Sequence, residues 1–228
     1  MRSDAMIATL FSGGKDSMLA MHRMHAKGRM TELLITMVSD NDFSYMFHKP
    51  NIDFTSLQAE ALGIRQLFAT TKGEKERELD DLRRVFKENN VTELITGAVA
   101  SVYQKERIEA ICRDLSITLH SPIWHIDPME ELAELSSRYN VIVTQIAAEG
   151  MEKEFLGARI NKAFIDKLLK IQQRYRINLL FEGGEAESFV LDAPLFKKSI
   201  GITKSRTEFE GSVGRFIIED AILEDKMQ

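Results

Sequence analysis

Hydrophobic residues in the first half of the chain fall into short runs that alternate with helical patterns. The runs at residues 6–11, 33–38 and 94–96 are typical of buried parallel strands. Because strands alternate with helices, the pattern predicts right-handed crossovers and a doubly wound parallel sheet, an α/β Rossmann-like fold, over residues 1–127. The other predicted elements are strands at 64–69 and 117–120 and helices at 52–62, 71–90 and 102–115.

The pattern changes after a segment that contains Pro122 and Pro128, which marks a predicted domain junction. Residues 128–228 are predicted to form a smaller α+β domain. Its predicted elements are helices at 129–139 and 157–175, strands at 141–148 and 189–192, and strands at 198–209 and 213–218 joined as a hairpin at Gly211.

Composition narrows the classes of function. The net charge of −5 argues against a nucleic-acid backbone as the main partner. The single cysteine, Cys112, excludes an intramolecular disulfide and a cysteine-based zinc site. No apolar run approaches membrane-spanning length, so we expect a cytoplasmic protein with no membrane partner. The sequence leaves the oligomeric state open, and an oligomer is possible.

The richest chemistry lies at Ser12-Gly13-Gly14-Lys15-Asp16-Ser17, between the first predicted strand and a helix. Adjacent glycines let the backbone approach a phosphate, and the amides and positive dipole end of the helix point towards it. Ser12 and Ser17 add hydroxyl donors, Lys15 adds a cation, and Asp16 could contact Mg²⁺ or cap the helix. A Gly-Gly turn without a ligand is the simpler alternative.

This stretch is not a Walker A loop, which has four residues between its first glycine and its Gly-Lys-Ser/Thr. It resembles the SGGxDS pyrophosphate-binding loop of the N-type ATP pyrophosphatases, the PP-loop superfamily. That resemblance implies a HUP-type fold and cleavage of ATP between its alpha and beta phosphates.

Four further stretches make the chain resemble the diphthine–ammonia ligase family from the loop to about Lys198. They are residues 44–48, 97–109, 147–150 and 182–194. One departure lies in the acidic motif, where Ala186 and Ser188 replace an expected aromatic residue and threonine. The resemblance implies that a carboxylate of diphthine on translation elongation factor 2 is adenylated by ATP, and that ammonia then forms the amide and displaces AMP.

The resemblance also assigns site residues. The predicted ATP and Mg²⁺ contacts are Ser12, Gly13, Gly14, Lys15, Asp16, Ser17 and Gly97, with Asp16 as the metal ligand. The predicted catalytic residues are Gln104, Arg107, Glu182, Glu185, Glu187 and Asp192. The predicted substrate-binding residues are Tyr45, Phe47, His48, Glu149, Gly183 and Gly184.

The residues themselves leave other interpretations open. Gln104 and Arg107 share a helix face and also fit an ordinary surface, and the acidic cluster also fits a solvated turn. Tyr45, Phe47 and Trp124 could face the trimethylammonium group of diphthine, although core packing explains each of them more simply.

Three other functions compete with the ligase. A PP-loop enzyme could act on a small carboxylate, as in cobalamin salvage, or on tRNA, and a non-catalytic regulator could bind ATP without cleaving it. In every case we expect the nucleotide at the carboxyl ends of the strands that precede Ser12 and Gly97.

Overall fold

The computed structural model describes residues 6–39, 51–71, 77–211 and 213–226. Its contacts divide the chain into two compact units. The first contains Met1–Ser12, Asp16–Lys49 and Ile64–His125, and the second contains Gly13–Lys15, Pro50–Gly63 and Ile126–Gln228. The division after residue 127 remains a prediction. No single position in the sequence separates the two units, because Gly13–Lys15 and Pro50–Gly63 belong to the second unit together with Ile126–Gln228.

Nine strands and six α-helices are found among the described residues. The strands are β1 (Met6–Leu10), β2 (Leu33–Ser39), β3 (Arg65–Thr71), β4 (Val91–Ile95), β5 (Thr118–His120), β6 (Asn140–Ile146), β7 (Ala186–Asp192), β8 (Ser199–Glu210) and β9 (Val213–Glu224). The helices are α1 (Lys15–His25), α2 (Thr55–Leu62), α3 (Arg77–Glu88), α4 (Val102–Asp114), α5 (Pro128–Arg138) and α6 (Lys162–Tyr175).

The first unit contains a parallel five-stranded sheet with the order β3-β2-β1-β4-β5. The chain proceeds from β1 to β2 and β3 on one side, then crosses to β4 and β5 on the other. β1 and β4 are therefore neighbours at a topological switch point, where open α/β sheets bind their ligands. The predicted α/β fold class is confirmed.

Apolar side chains from the sheet and from two helices form the core of the first unit. Leu82 and Phe86 on α3 and Ile111 on α4 are buried with strand residues such as Ile35 and Leu94. The helical residues recur at three- and four-residue spacing, so each helix turns one apolar stripe towards the sheet. This packing holds the carboxyl ends of the strands in place.

The second unit contains an antiparallel sheet with the order β7-β6-β9-β8. β8 and β9 pair along their length to a turn at Gly211, which confirms the predicted hairpin, although β9 continues six residues beyond the predicted end at Ile218. β7 is an edge strand. It begins at Ala186, so the last three residues of the acidic motif at 182–188, which was predicted to precede a strand, belong to the strand itself.

Two predicted helix starts were wrong. The helix predicted from residue 71 cannot start there, because Thr71 belongs to β3 and pairs in parallel with β2, and the helix is described from Arg77. The helix predicted from residue 157 begins at Lys162. Asn161 is its N-cap, since the Asn161 side chain accepts a hydrogen bond from Phe164 N at 3.0 Å.

Among the helices of the described residues, none has the length and apolar character needed to cross a membrane.

Candidate nucleotide-binding and catalytic site

The Gly-Gly loop follows β1 directly and leads into α1 at Lys15. In the first unit, the Ser17 hydroxyl lies 3.3 Å from both Ser12 N and Ser12 Oγ, so the two serines meet across the turn. Asp16 is the acidic residue of the first helical turn. A helix N-terminus with two hydroxyls beside it is a suitable arrangement for binding phosphate.

Gly97, which follows β4, lies against the start of α1. A Cβ atom at Gly97 would lie 2.6 Å from Ser17 N and 2.7 Å from the carbonyl carbon of Asp16. Only glycine lets these two backbones approach so closely. The predicted nucleotide-binding residues of the first unit therefore lie together at the switch point between β1 and β4.

The Gly13 carbonyl is held by two donors within the second unit. It accepts hydrogen bonds from Gln58 Nε2 at 2.9 Å and from Val190 N at 3.1 Å. Gly13 has a φ of 75°, and a Cβ atom there would lie 2.5 Å from Gln58 Oε1 and 2.6 Å from Thr55 Cγ2. Both the backbone angle and the available space therefore require glycine at this position.

Lys15 is buried and forms an ion pair. Its Nζ lies 2.9 Å from Glu131 Oε1, and the two side chains are 1% and 0% exposed. The ammonium also lies 5.8 Å from the ring centroid of Phe181. Lys15 was predicted to supply a cation to the phosphates, whereas in this structure its ammonium faces Glu131.

Helix α5 places Glu131 through a well-formed N-terminus. Asp127 is the N-cap and accepts hydrogen bonds from Met129 N and Glu130 N, and Pro128 occupies the first turn. Glu131, Leu132 and Leu135 are the buried residues of this helix.

Gln104 and Arg107 lie on α4 in the first unit. A short loop separates the start of α4 from the end of β4. The Arg107 guanidinium lies 3.4 Å from the ring centroid of Tyr103, and its Nη1 donates to the Tyr103 carbonyl at 3.4 Å. The tyrosine ring thus holds the arginine from one side.

The predicted acidic residues belong to a turn and to β7 in the second unit. Glu185 accepts hydrogen bonds from Asn178 N at 2.9 Å and from Gly183 N at 2.8 Å, so its carboxylate shapes the turn that contains Gly183 and Gly184. Asp192 accepts from Ala193 N at 2.8 Å and pairs with Lys226 at 2.8 Å. Glu182 lies in the turn, and Glu187 lies on β7.

β7 also carries the groups that contact the glycine loop. Lys15 N donates to Ser188 Oγ at 3.1 Å, and Val190 donates its amide to Gly13. Ser188 is one of the two departures from the expected acidic motif, and here its hydroxyl bonds the first residue of α1. The strand that contains Glu187 therefore lies against residues 13–15.

The remaining predicted substrate contacts either lie outside the described residues or have other surroundings. Tyr45, Phe47 and His48 lie outside the described residues. Glu149 is exposed and lies in the turn that follows β6. One face of the Trp124 ring is covered by Lys105 Nζ at 4.2 Å, and the ring also stacks on His125 at 4.7 Å.

Cys112 is a residue of the hydrophobic core. It is buried in the core of the first unit, and burial together with the charge of Glu109 raises the pKa of its thiol to about 11. A neutral thiol at physiological pH neither attacks substrates nor binds metals.

Sequence reasoning missed three polar residues that touch the loop, namely Gln58, Glu131 and Ser188. A signal was present for two of them. Gln58 falls on the buried stripe of α2 together with Thr55, Ala59 and Leu62, and Glu131 lies one turn before buried Leu135 on α5. A polar residue on an apolar stripe indicates a buried partner.

The donor set of the loop fits the phosphates of ATP, since it offers helix N-terminal amides and two serine hydroxyls. Asp16 fits Mg²⁺, which is bound in nucleotide sites by one or two carboxylates together with substrate phosphates. No cluster of three or more His, Cys, Asp or Glu side chains suited to a metal occurs within the described ranges.

A parallel sheet with a Gly-Gly strand-to-helix turn after its central strand is the arrangement of a nucleotide-binding α/β fold. Residues 5–119 match the family model "Diphthamide synthase N-terminal domain", and residues 127–223 match "Diphthamide synthase C-terminal domain". The chain belongs to the diphthamide synthase family.

The chain is also similar to individual relatives and, more distantly, to a solved structure. It is 30% identical to the diphthine–ammonia ligase of Homo sapiens, across 87% of this chain and 83% of the relative. It is also 30% identical to that of Danio rerio, across 88% of each chain. A solved structure described as a predicted subunit of tRNA methyltransferase from Methanocaldococcus jannaschii covers 83% of this chain and 98% of its own, with a TM-score of 0.44 and 15% identity.

Proposed function

We propose that this protein is an ATP-dependent ligase that converts the carboxylate of diphthine, on a protein substrate, into an amide. The observation that carries the proposal is that both halves of the chain match the diphthamide synthase family while the glycine loop lies intact at the switch point. The small-carboxylate, tRNA and regulator alternatives have no comparable support.

The chemistry explains why ATP is needed. A carboxylate is a poor electrophile, so one of its oxygens attacks the alpha phosphorus, and the bond from that phosphorus to the bridging oxygen of pyrophosphate breaks. Ammonia then attacks the acyl carbon, and AMP leaves. Ammonium loses two protons overall, one before the attack and one as the amide forms.

The glycine loop stabilises the departing pyrophosphate in this proposal. Negative charge that develops on a leaving group is best held by donors that are already in place. Ser12, Ser17 and the amides of the first turn of α1 that follow Lys15 are proposed as such donors. Asp16 would hold Mg²⁺, which supplies positive charge at the phosphates.

Arg107 is proposed to hold the alpha phosphate or the substrate carboxylate, together with Gln104. The planar guanidinium suits two-point contact with either group. Tyr103 beneath it limits the orientations that the guanidinium samples.

Two of the four predicted acidic residues are proposed to bind ammonium and to deprotonate it. Glu182 and Glu187 attract the cation and accept its proton. Glu185 and Asp192 bind backbone amides, and Asp192 also pairs with Lys226, and we propose that these two carboxylates hold the segment in shape. A direct catalytic role for these two remains a prediction.

The identity of the protein substrate is a further part of the proposal. Elongation factor 2 is the expected carrier of diphthine, and a cytoplasmic location would follow from that substrate. Tyr45, Phe47 and His48 remain the predicted contacts to it.

The decisive experiment is product analysis with ATP, Mg²⁺, ammonium and elongation factor 2 that carries diphthine. We expect AMP, pyrophosphate and amidated factor, formed only when both the factor and ammonium are present. ATP that binds without cleavage would instead indicate a regulator. AMP formed only with a small carboxylate would keep the chemistry and replace the substrate.

A further inference from the structure

We propose that Gln58 and the Lys15–Glu131 ion pair are positioning residues that set the orientation of the glycine loop, and that Lys15 anchors the loop instead of contacting phosphate. This inference rests on the proposed function only in taking the loop as the site for ATP phosphates. All the contacts that carry it lie within the second unit.

The first step concerns the peptide group between Gly13 and Gly14. In a trans peptide the C=O and the following N–H point in opposite directions. The Gly13 carbonyl is fixed towards Gln58 and β7 by two hydrogen bonds. The Gly14 N–H is therefore aimed away from β7, and this direction is set by residues outside the loop.

The second step concerns Gln58, which is fully buried on α2. Its amide nitrogen donates to Gly13 O at 2.9 Å and to Val190 O at 2.7 Å, so both of its N–H groups are used on backbone carbonyls. One side chain therefore joins the loop to β7. Within the described part of the chain, its Oε1 has no hydrogen-bond donor, so the reversed amide would place this oxygen against two carbonyls.

The third step concerns the charge on Lys15. With 1% exposure and a carboxylate at 2.9 Å, its ammonium is already neutralised inside the protein. Moving it to a phosphate would break this buried ion pair, which is strongly unfavourable. The Lys15 amide is fixed as well, by Ser188 Oγ at 3.1 Å.

These contacts fix the loop at its first glycine and at the first residue of α1. The phosphate-binding function then depends on backbone amides and on the Ser12 and Ser17 hydroxyls, with the lysine as an internal support. Preorganised donors of this kind need no rearrangement when the ligand arrives.

The test measures dissociation constants for Mg²⁺-ATP and for adenosine by calorimetry in Q58L, K15M, E131Q and the double variant K15M/E131M. Because the loop contacts only phosphates, we expect Q58L to weaken ATP at least about tenfold and to leave adenosine within about twofold. A variant that merely lost stability would weaken both ligands alike.

The ion pair is tested by coupling. If Lys15 and Glu131 act as one anchor, the K15M and E131Q variants weaken ATP to a similar degree, and the double variant is no worse than the weaker-binding single variant. If Lys15 binds phosphate directly, K15M alone weakens ATP and E131Q stays near wild type. That second pattern would overturn the anchor role.

Two further variants separate a loss of stability from a loss of loop positioning. N161A removes the N-cap of α6 and should lower the melting temperature while ATP affinity stays at the wild-type value. S188A is milder than Q58L and should weaken ATP by a few-fold only. ATP binding by Q58L or S188A that equals wild type in well-folded protein refutes the positioning role of β7 and Gln58. Amidation by wild-type protein is measured separately, so a failed ligase assay does not decide this question.

Discussion

The chain contains two Gly-Gly turns followed by a charged residue, and they are stabilised in opposite ways. In the first, the Gly13 carbonyl and Lys15 are bound by groups 45 to 177 residues away along the chain. In the second, Glu185 returns to the backbone amides of Gly183 and Asn178, only two and seven residues away. The first turn depends on tertiary structure, whereas the second is shaped locally.

The space around the two turns differs as well. A Cβ atom at Gly13 would collide with Gln58 and Thr55, whereas one at Gly184 would meet nothing within 4 Å, although both glycines have positive φ. A turn that is enclosed by other elements keeps one geometry, which suits an anion site. A turn with open space around it tolerates an added side chain more readily.

The largest difference is expected for alanine at the two positive-φ glycines. G13A combines backbone strain with a steric collision, so it should displace the loop and weaken ATP by about 100-fold or more. G184A carries only the backbone strain of about 1–2 kcal/mol, and ATP affinity should change by less than about twofold. Calorimetric titration with ATP and thermal unfolding of both variants measure the two effects. Equal ATP affinities in the two variants would erase the distinction between the turns.

A smaller effect is expected when one hydroxyl is removed from the first turn. S17A keeps the backbone but removes a donor beside Ser12, and a hydrogen bond to a charged group contributes about 1.5–3 kcal/mol. We therefore expect kcat/KM for ATP to fall by about 10- to 100-fold with a normal melting temperature. The matched control S136A removes an exposed hydroxyl on α5 and should change nothing. A wild-type kcat/KM in S17A excludes this hydroxyl from the phosphate site.

The second turn is tested at its carboxylate. E185A leaves the Asn178 and Gly183 amides without their acceptor and should destabilise the protein by about 1–3 kcal/mol, whereas E185Q keeps an oxygen and should lose less. Chemical denaturation measures the difference. Steady-state kinetics with varied ammonium then distinguish a structural role of Glu185 from a role in proton transfer. A carboxylate that accepts the proton cannot be replaced by glutamine. A loss of activity in E185Q as large as in E185A would make Glu185 a catalytic group.

The smallest effect is expected on the rate at which a thiol reagent labels Cys112. This rate reports whether the first unit stays intact in the variants above. The Cys112 thiol is buried and its pKa is raised to about 11, so little thiolate exists at pH 8 and labelling by a thiol reagent should be slow. The labelling rate of G184A and E185A should match wild type within about twofold if the changes stay local. Faster labelling would show that a variant also loosens the core around α4.

The fold of the first unit could be predicted well because its signals are local. Short apolar runs between helical stripes are enough to define the parallel sheet, and the Gly-Gly sequence marks the turn between β1 and α1. Predicted boundaries failed where tertiary pairing extended an element, as when β3 continued to Thr71 along β2.

The partners of the loop could not be predicted because they depend on contacts between distant parts of the chain. Nothing near Lys15 indicates that its ammonium meets Glu131, 116 residues later. A lysine between glycine and aspartate in a phosphate-type loop favours a ligand contact when judged from the sequence alone. Only the fold shows that the lysine is buried, and the same holds for Gln58 on α2.

The contacts of Val190 have a consequence for self-association. β7 is the outermost strand of its sheet, and at Val190 both backbone groups are occupied, the N–H by Gly13 and the C=O by Gln58. Uncovered strand edges recruit other chains and promote aggregation. The glycine loop therefore also shields a sheet edge, and a change that lifts it from Val190 exposes a site where a second molecule can add a strand.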